Sequence, residues 1–170
     1  MIKLKSLLEQ VVAGVIVLAI GGVAGWVANT WMNPKLPVVT AVIENPINDT
    51  ELNYKPLIKG RYSGHLKESK IWVMVSHIET PERYFPYRIS LEAPNAWRSL
   101  IYLGDTDDSD LNEHFVISVV QISASGSKSV EDYIATTSNQ ATKDPSYIYP
   151  GIQGLPTGSR KLDVINVVRK

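Results

Sequence analysis

The 170-residue sequence contains no cysteine. This absence excludes disulfide bonds, iron–sulfur clusters and zinc sites built on thiolates, although it leaves the cellular compartment open. An excess of charge of either sign is also missing, because 17 basic residues balance 17 acidic ones. A protein that binds nucleic acid over a broad surface needs that surface to be basic, so this balance of charges argues against DNA or long RNA as a partner.

Long apolar runs are scarce as well, and the one that is present lies near the N-terminus. Residues 11–28 form an uncharged stretch of about the 20-residue length that a helix needs to span a bilayer. Two tryptophans follow its centre, where indole rings favour the membrane interface. The sequence therefore predicts an uncleaved transmembrane segment over residues 1–31 and a short Pro-containing linker over residues 32–37. Cleavage of a signal peptide after residues 22–24 is the alternative.

Small residues follow one stripe of the predicted transmembrane helix. The stripe contains Gly14, Gly21, Gly25 and Ala28. The step from Gly21 to Gly25 is a GxxxG motif, which permits close helix contact. Because glycine is common in membrane helices, the stripe predicts either a homo-oligomer assembled along this seam or a passive anchor.

The orientation of the segment is indicated by few charges. Lys3 and Lys5 precede the segment, and only Lys35 lies close behind it. The positive-inside rule therefore favours a cytoplasmic N-terminus and an external domain, by a margin of one or two charges. The side of the membrane on which the domain lies stays open.

Residues 38–170 predict one mainly β domain. Seven β-rich runs are separated by turn residues, over residues 38–43, 55–64, 70–78, 87–92, 97–104, 114–123 and 161–169. Strands of this number and spacing are typical of a β-sandwich. Residues 129–140 depart from the pattern, because Ser129 precedes Asp132 by three positions and apolar residues then recur at helical spacing. This segment predicts one short helix.

The order of several segments resembles a known bacterial domain. These segments are "IKGRYSG", "IWVMV", "RYFP", Trp97 followed by "LIYLGD", then "FVISVV" and "YPGIQGLPTGSRKLDVINVVR". Together they are similar to an immunoglobulin-like β-sandwich that accompanies membrane spans, caspase-like peptidases or signalling NTPases. The resemblance runs from about Val38 to Arg169, and it implies a sensing or docking module in bacterial defence or stress signalling. In size and architecture alone, the chain also resembles the small membrane effectors of type III CRISPR-like antiviral systems, which recognise a cyclic oligoadenylate.

Aromatic and basic residues recur together in three segments of the domain. Tyrosine rings stack on bases, and guanidinium groups pair with phosphates in two-point geometry. The candidate ligand-binding residues are Arg61, Arg83, Tyr84, Tyr87, Arg88, Trp97 and Arg98. Because Pro86 would interrupt a central strand, residues 83–88 are predicted to form an edge or a loop. The structural alternative is that the rings fill one end of the sandwich and the arginines are merely solvated.

No pattern indicates catalysis, a metal or a cofactor. His65, His77 and His114 lie on different predicted elements and lack the spacing of a metal pair. A GxSxG nucleophile motif is absent. The acidic residues 105–113 lack the glycine that a calcium loop needs at its sixth position, so they are interpreted as a solvated hairpin loop. The chain is therefore predicted not to be an enzyme.

Two hypotheses of function remain open. In the first, the chain is a single-pass effector of the bacterial inner membrane, and its sandwich senses a small anionic signal such as a cyclic oligonucleotide. Binding is then coupled to assembly or perturbation of the membrane in antiviral defence. In the second, the chain displays a membrane-anchored immunoglobulin-like module outside the cell, where it binds a protein or an envelope component.

Overall fold

A computed structural model describes residues 38–66, 68–92, 94–105 and 108–170. The predicted transmembrane segment, its stripe of Gly14, Gly21, Gly25 and Ala28, and the linker of residues 32–37 lie outside the described residues. Within the described ranges, no helix has both the length and the apolar character needed to cross a membrane.

Ten strands form two sheets that pack face to face. The four-stranded sheet has the order β1-β3-β7-β6 and is antiparallel throughout. Its strands are β1 (Val39–Asn45), β3 (Leu57–Gly64), β6 (Ser90–Glu92) and β7 (Ala96–Leu100). The six-stranded sheet has the order β2-β10-β8-β4-β5-β9, and only its β2–β10 pair is parallel. Its strands are β2 (Thr50–Leu52), β4 (Ser69–His77), β5 (Arg83–Arg88), β8 (His114–Ser123), β9 (Ile152–Gln153) and β10 (Ser159–Arg169).

The main hydrophobic core lies between the two sheets. Ile58 and Trp97 enter it from the four-stranded sheet, and Val73, Ile117 and Val167 enter it from the six-stranded sheet. Along β3 and β7, buried residues alternate with exposed ones, as expected for a sheet with one face in the core. The prediction of a mainly β domain is therefore confirmed, and the domain contains two sheets.

A second core lies on the opposite face of the six-stranded sheet. Trp72 and Met74 of β4 and Val120 of β8 pack there with Val130, which belongs to the helix α1 (Ala124–Lys143). Since α1 covers this face, β4 and β8 are buried on both sides, and their sequences are correspondingly almost continuous apolar runs.

Helix α1 differs from the short helix predicted from the sequence. It has 20 residues and begins after Ser123, whose hydroxyl accepts a hydrogen bond from the Gly126 amide. The prediction that Ser129 caps the helix is wrong, because the Ser129 hydroxyl instead donates to the carbonyl of Ser125 within the helix. Gly126 is required where α1 leaves the sheet, since a Cβ there would lie 2.7 Å from Ile122 Cγ2.

The edges of both sheets are short or capped. Strands β2, β6 and β9 contain two or three residues each. At the open edge of β1, the Asp163 carboxylate accepts a hydrogen bond from the Ile43 amide at 2.7 Å, and Arg160 donates to the Val39 carbonyl at 2.7 Å. These features oppose the addition of a foreign strand. We therefore expect recognition to use a sheet face or a cleft.

Strand β5 is a partial edge, in keeping with the proline in its sequence. Strand β9 pairs only with Arg83 and Tyr84, so the remainder of β5, including Pro86, has β4 as its only neighbour in the described sheet. A proline is tolerated at such an edge because no second partner strand needs its missing amide.

Candidate recognition sites

The exposed side of the four-stranded sheet is the first candidate, and we call it the outer sheet face. It presents Val42, Glu44, Leu57, Lys59, Arg61, Glu92, Arg98 and Leu100. Cross-strand pairing places Lys59 opposite Arg98 and Leu57 opposite Leu100. Both arginines are in exposed ion pairs, with Arg61 Nε 3.1 Å from Glu44 and Arg98 Nε 2.9 Å from Glu92. Exposed ion pairs of this kind contribute little to stability. A partner that binds the outer sheet face could therefore break them at little cost in free energy.

Three of the predicted ligand-binding residues lie in the interior. Trp97 is only 1% exposed, and its indole nitrogen donates to the Arg61 carbonyl at 3.1 Å. Tyr87 packs against the main core, and its hydroxyl donates to the Tyr102 carbonyl at 3.1 Å. Tyr84 belongs to the second core. These three rings therefore pack against the two cores rather than forming one exposed ligand surface.

The other two predicted residues lie at opposite ends of β5. Arg83 begins the strand, and its Cγ would be 2.6 Å from a Cβ at Gly151. Arg88 ends the strand in register with Trp72. The seven residues therefore do not face a common pocket, and only Arg61 and Arg98 share a surface.

A cleft that sequence patterns do not reveal lies between the beginning of β4 and the first turns of α1. It encloses about 310 Å³ and is lined by Leu66, Ser69, Lys70, Ser127, Lys128 and Glu131, among others. Lys70 Nζ lies 2.6 Å from Glu131 Oε1. Because two of its three charged side chains are lysines, we call it the lysine cleft.

A third cation lies near the lysine cleft. Arg88 of β5 pairs in register with Trp72 of β4, and Trp72 lies two residues after Lys70. The positive charge of Arg88 also favours the ionised form of Glu131. The hydrogen bond from Lys70 and the charge of Lys70 lower the pKa of Glu131, and the charge of Arg88 lowers it further. Glu131 is therefore a carboxylate at neutral pH.

The polar residues at the base of the cleft are held by buried hydrogen bonds. The Ser69 hydroxyl accepts from Gln121 Nε2 at 2.9 Å, and the Ser127 hydroxyl accepts from Trp72 Nε1 at 3.2 Å. Gln121 Oε1 in turn accepts from Arg160 at 2.9 Å. These hydrogen bonds hold the polar base of the cleft in place.

A second cleft of about 270 Å³ lies between α1 and the segment that follows β9. Its lining includes Ser125, Gly126, Ser129, Gly154 and Thr157, and it contains no charged side chain. It therefore lacks a group that would select an ionic ligand.

The basic chain end and the acidic loop meet in a structural cluster. Arg169 is 2% exposed, and its Nη1 lies 3.2 Å from Asp110 Oδ2. The same carboxylate oxygen accepts from the Asp105 amide at 2.6 Å, and the guanidinium carbon lies 5.2 Å from the Tyr54 ring centre. The interpretation of residues 105–113 as merely solvated is therefore wrong for Asp110, which fastens this loop to β10.

His77 and His114 lie on the paired strands β4 and β8, where the Ile78 amide donates to the His114 carbonyl at 3.0 Å. His77 Nε2 lies 3.3 Å from Glu113 Oε2, and its ring packs edge-on against Phe115. In the part of the chain that the structure describes, no three histidine or carboxylate side chains come together as metal ligands would.

No protein-family model and no curated protein matches the sequence.

Proposed function

We propose that the chain is a non-enzymatic binding protein, anchored in a bacterial membrane by residues 1–31, whose β domain recognises a small anionic ligand at the lysine cleft. The observation that carries this proposal is that Lys70 and Lys128 line one cleft whose polar base is held by buried hydrogen bonds. Homo-oligomerisation along the glycine stripe would couple binding to the membrane, in the context of antiviral defence that the resemblance implies. A cyclic oligonucleotide belongs to the proposed ligand class.

The size and charge of the cleft support this class of ligand. Small-molecule sites typically enclose about 300–1,000 Å³, so a cleft of about 310 Å³ suits one anionic group with its immediate substituents. Lysine ammonium groups bind phosphates as point charges. The two lysines that line the cleft exceed the single carboxylate of Glu131, which leaves a net positive charge for an anion to meet.

The proposal is tested by thermal melting of the full chain in detergent against a panel of linear and cyclic nucleotides. A ligand at a hundredfold excess over its Kd should stabilise the fold by about 2.7 kcal/mol. Lys128→Ala should abolish the shift, whereas Lys59→Ala removes the same charge on the outer sheet face and should leave it intact. No shift across the panel, or equal shifts in both variants, would contradict the proposal.

A second candidate function is the recognition of a protein or envelope partner by the outer sheet face. The observation that favours it is the Leu57–Leu100 pair, whose side chains are 40% and 47% exposed beside Lys59 and Arg98. Apolar residues with a polar surround are typical of protein interfaces. A reporter fused after Lys170 separates the candidates, because an external location excludes sensing of an intracellular nucleotide and a cytosolic location excludes external display.

A further inference from the structure

We propose that the lysine cleft binds the headgroup of an anionic phospholipid from the bilayer in which the chain is anchored. This inference rests on the proposed binding of anions at the cleft and on the predicted transmembrane segment. The chemistry that the cleft would recognise is a phosphate group joined to an apolar body, and the inference names the membrane as its source.

The cleft lies close to the end of the domain where β1 begins. Ser69 lines the cleft, and its hydroxyl accepts a hydrogen bond from Gln121. Gln121 accepts in turn from Arg160, which also donates to the carbonyl of Val39, the first residue of β1. None of these three contacts is longer than 2.9 Å. The cleft is therefore near the point at which the chain enters the domain.

The length of chain before β1 brings this end of the domain within reach of a bilayer. The predicted transmembrane segment ends at residue 31, so seven residues separate it from Val39. Seven residues span at most about 25 Å when they are fully extended. A cleft near the start of β1 is therefore accessible to headgroups of the surrounding bilayer, whereas a soluble ligand would place no requirement on its position.

The lining of the cleft combines charged and apolar groups. Lys70 and Lys128 outnumber the one lining carboxylate, Glu131, so two positive charges against one negative charge leave a net charge of +1. This charge is opposite to that of the single phosphodiester in phosphatidylglycerol. Leu66 and Ala124 add apolar surface beside these charges. A phospholipid can contact both kinds of group, because its phosphate is joined through glycerol to its acyl chains.

The beginning of α1 favours an anion at the same place. Its first turn contains no acidic residue, and Ala124 and Ser127 of that turn line the cleft. The amide groups at a helix N-terminus carry a partial positive charge, so a lysine close to them is electrostatically unfavourable in isolation. Lys128 follows Ser127 directly, and an anion in the cleft would offset this repulsion. The position of Lys128 therefore fits the binding of an anion better than it fits the stabilisation of the helix.

The test is a calorimetric titration of the full chain in nonionic detergent with three matched compounds. Dihexanoyl phosphatidylglycerol and dihexanoyl phosphatidylcholine have the same acyl chains, but only the first carries a net negative charge. Glycerophosphoglycerol has the phosphodiester of the first lipid without its acyl chains. We expect phosphatidylglycerol to bind more tightly than either of the other compounds, because only this lipid supplies both the charge and the apolar body.

The variant Lys128→Ala should weaken the binding of phosphatidylglycerol about fivefold, the factor that corresponds to about 1 kcal/mol per lysine at an anionic membrane surface. Lys143→Ala is the matched control, because Lys143 is exposed in the last turn of the same helix. It lies about 22 Å from Lys128 along the helix axis. The control variant should bind the lipid with the affinity of the parent.

Equal affinities of the parent for the two lipids, or equal affinities of the two variants for phosphatidylglycerol, would overturn this inference, since the lipid would then bind without the cleft. If glycerophosphoglycerol binds as tightly as the lipid, the source is a free phosphate, and the inference fails while anion binding at the cleft stands. Binding of phosphatidylglycerol that depends on Lys128, in a chain that binds no nucleotide, would support the inference and contradict the sensing of a soluble signal. If neither the lipid nor any soluble anion binds, the proposed function fails together with this inference.

Discussion

At the residue scale, the Trp97 ring packs closely against Gly60. A Cβ at residue 60 would clash with the Val42 carbonyl oxygen and would lie 2.5 Å from Trp97 Cζ2. Neither neighbour can yield, because Val42 belongs to the β1–β3 ladder and Trp97 is fixed by its hydrogen bond to the Arg61 carbonyl. Glycine at residue 60 therefore leaves room for the indole between the sheets.

We expect Gly60→Ala to destabilise the domain by about 1–3 kcal/mol, the usual cost of overpacking a core. Urea denaturation of the variant and its parent measures this difference. Arg61→Ala is the control, because it changes an exposed side chain on the next residue and should cost less than about 1 kcal/mol. A Gly60→Ala protein as stable as its parent would show that the ring does not approach the strand this closely.

Partly buried tyrosines should make the domain sensitive to high pH. Burial raises the pKa of Tyr87 above its ordinary value of 10.0. Burial also raises the pKa values of Tyr54 and Tyr133. Above pH 10 the unfolded chain loses these protons while the folded chain retains them, so stability should be complete below that pH and decline above it.

Tyr87→Phe removes the most perturbed of these phenols, and it should therefore flatten the alkaline decline. The measurement is the free energy of unfolding of both proteins from about pH 9 to about pH 11. At the lower pH, the variant should lose about 1 kcal/mol because it lacks one hydrogen bond. Parallel pH profiles for the two proteins would contradict the assigned role of Tyr87.

At the element scale, the sequence predicts the long central strands better than it predicts the short edge strands and the beginning of the helix. The apolar runs of β4 and β8 identify them as strands, and burial of both faces follows once a helix is present to cover them. Strands β2 and β9 have three and two residues, too few to leave a periodic pattern. The first turn of α1 is rich in serine and glycine, which have low helix propensity, so its beginning was not predicted.

The cap of α1 can be tested directly. Ser123→Ala should cost about 1 kcal/mol, because it removes the acceptor for the Gly126 amide. Ser129→Ala should be nearly neutral, since the Ser129 hydroxyl only donates back to a helix carbonyl and alanine is the better helix former. Thermal unfolding of both variants distinguishes the two beginnings of the helix, and a larger loss for Ser129→Ala would support the sequence-based boundary instead.

At the scale of the whole molecule, sequence patterns predict the mainly β fold of the domain better than they predict which side chains come together at a site. The aromatic and basic segments around Arg83 and Trp97 are adjacent in sequence, but alternation along the strands sends their side chains to the core and to opposite surfaces. Lys70 and Glu131 are separated by 61 positions, so their contact depends on α1 folding back over β4. A net charge of zero likewise conceals the local cluster of cations at the lysine cleft.

The whole-molecule account also limits how a ligand can act. A signal shifts an equilibrium of assembly only if it binds the assembled form more tightly than the separate chains. The described domain supplies a cleft with a polar base held by hydrogen bonds, and the predicted seam lies in the predicted transmembrane segment. Binding at the cleft is therefore the step on which any coupling to the membrane depends.

The central claim is tested most directly by measuring the affinity of the full chain for the nucleotide that gives the largest melting shift, in the parent, Lys128→Ala and Lys59→Ala proteins. The account predicts tight binding by the parent and Lys59→Ala, and a Kd at least about tenfold weaker for Lys128→Ala, equivalent to about 1.4 kcal/mol. Equal affinities in all three proteins would place the ligand elsewhere and contradict the account.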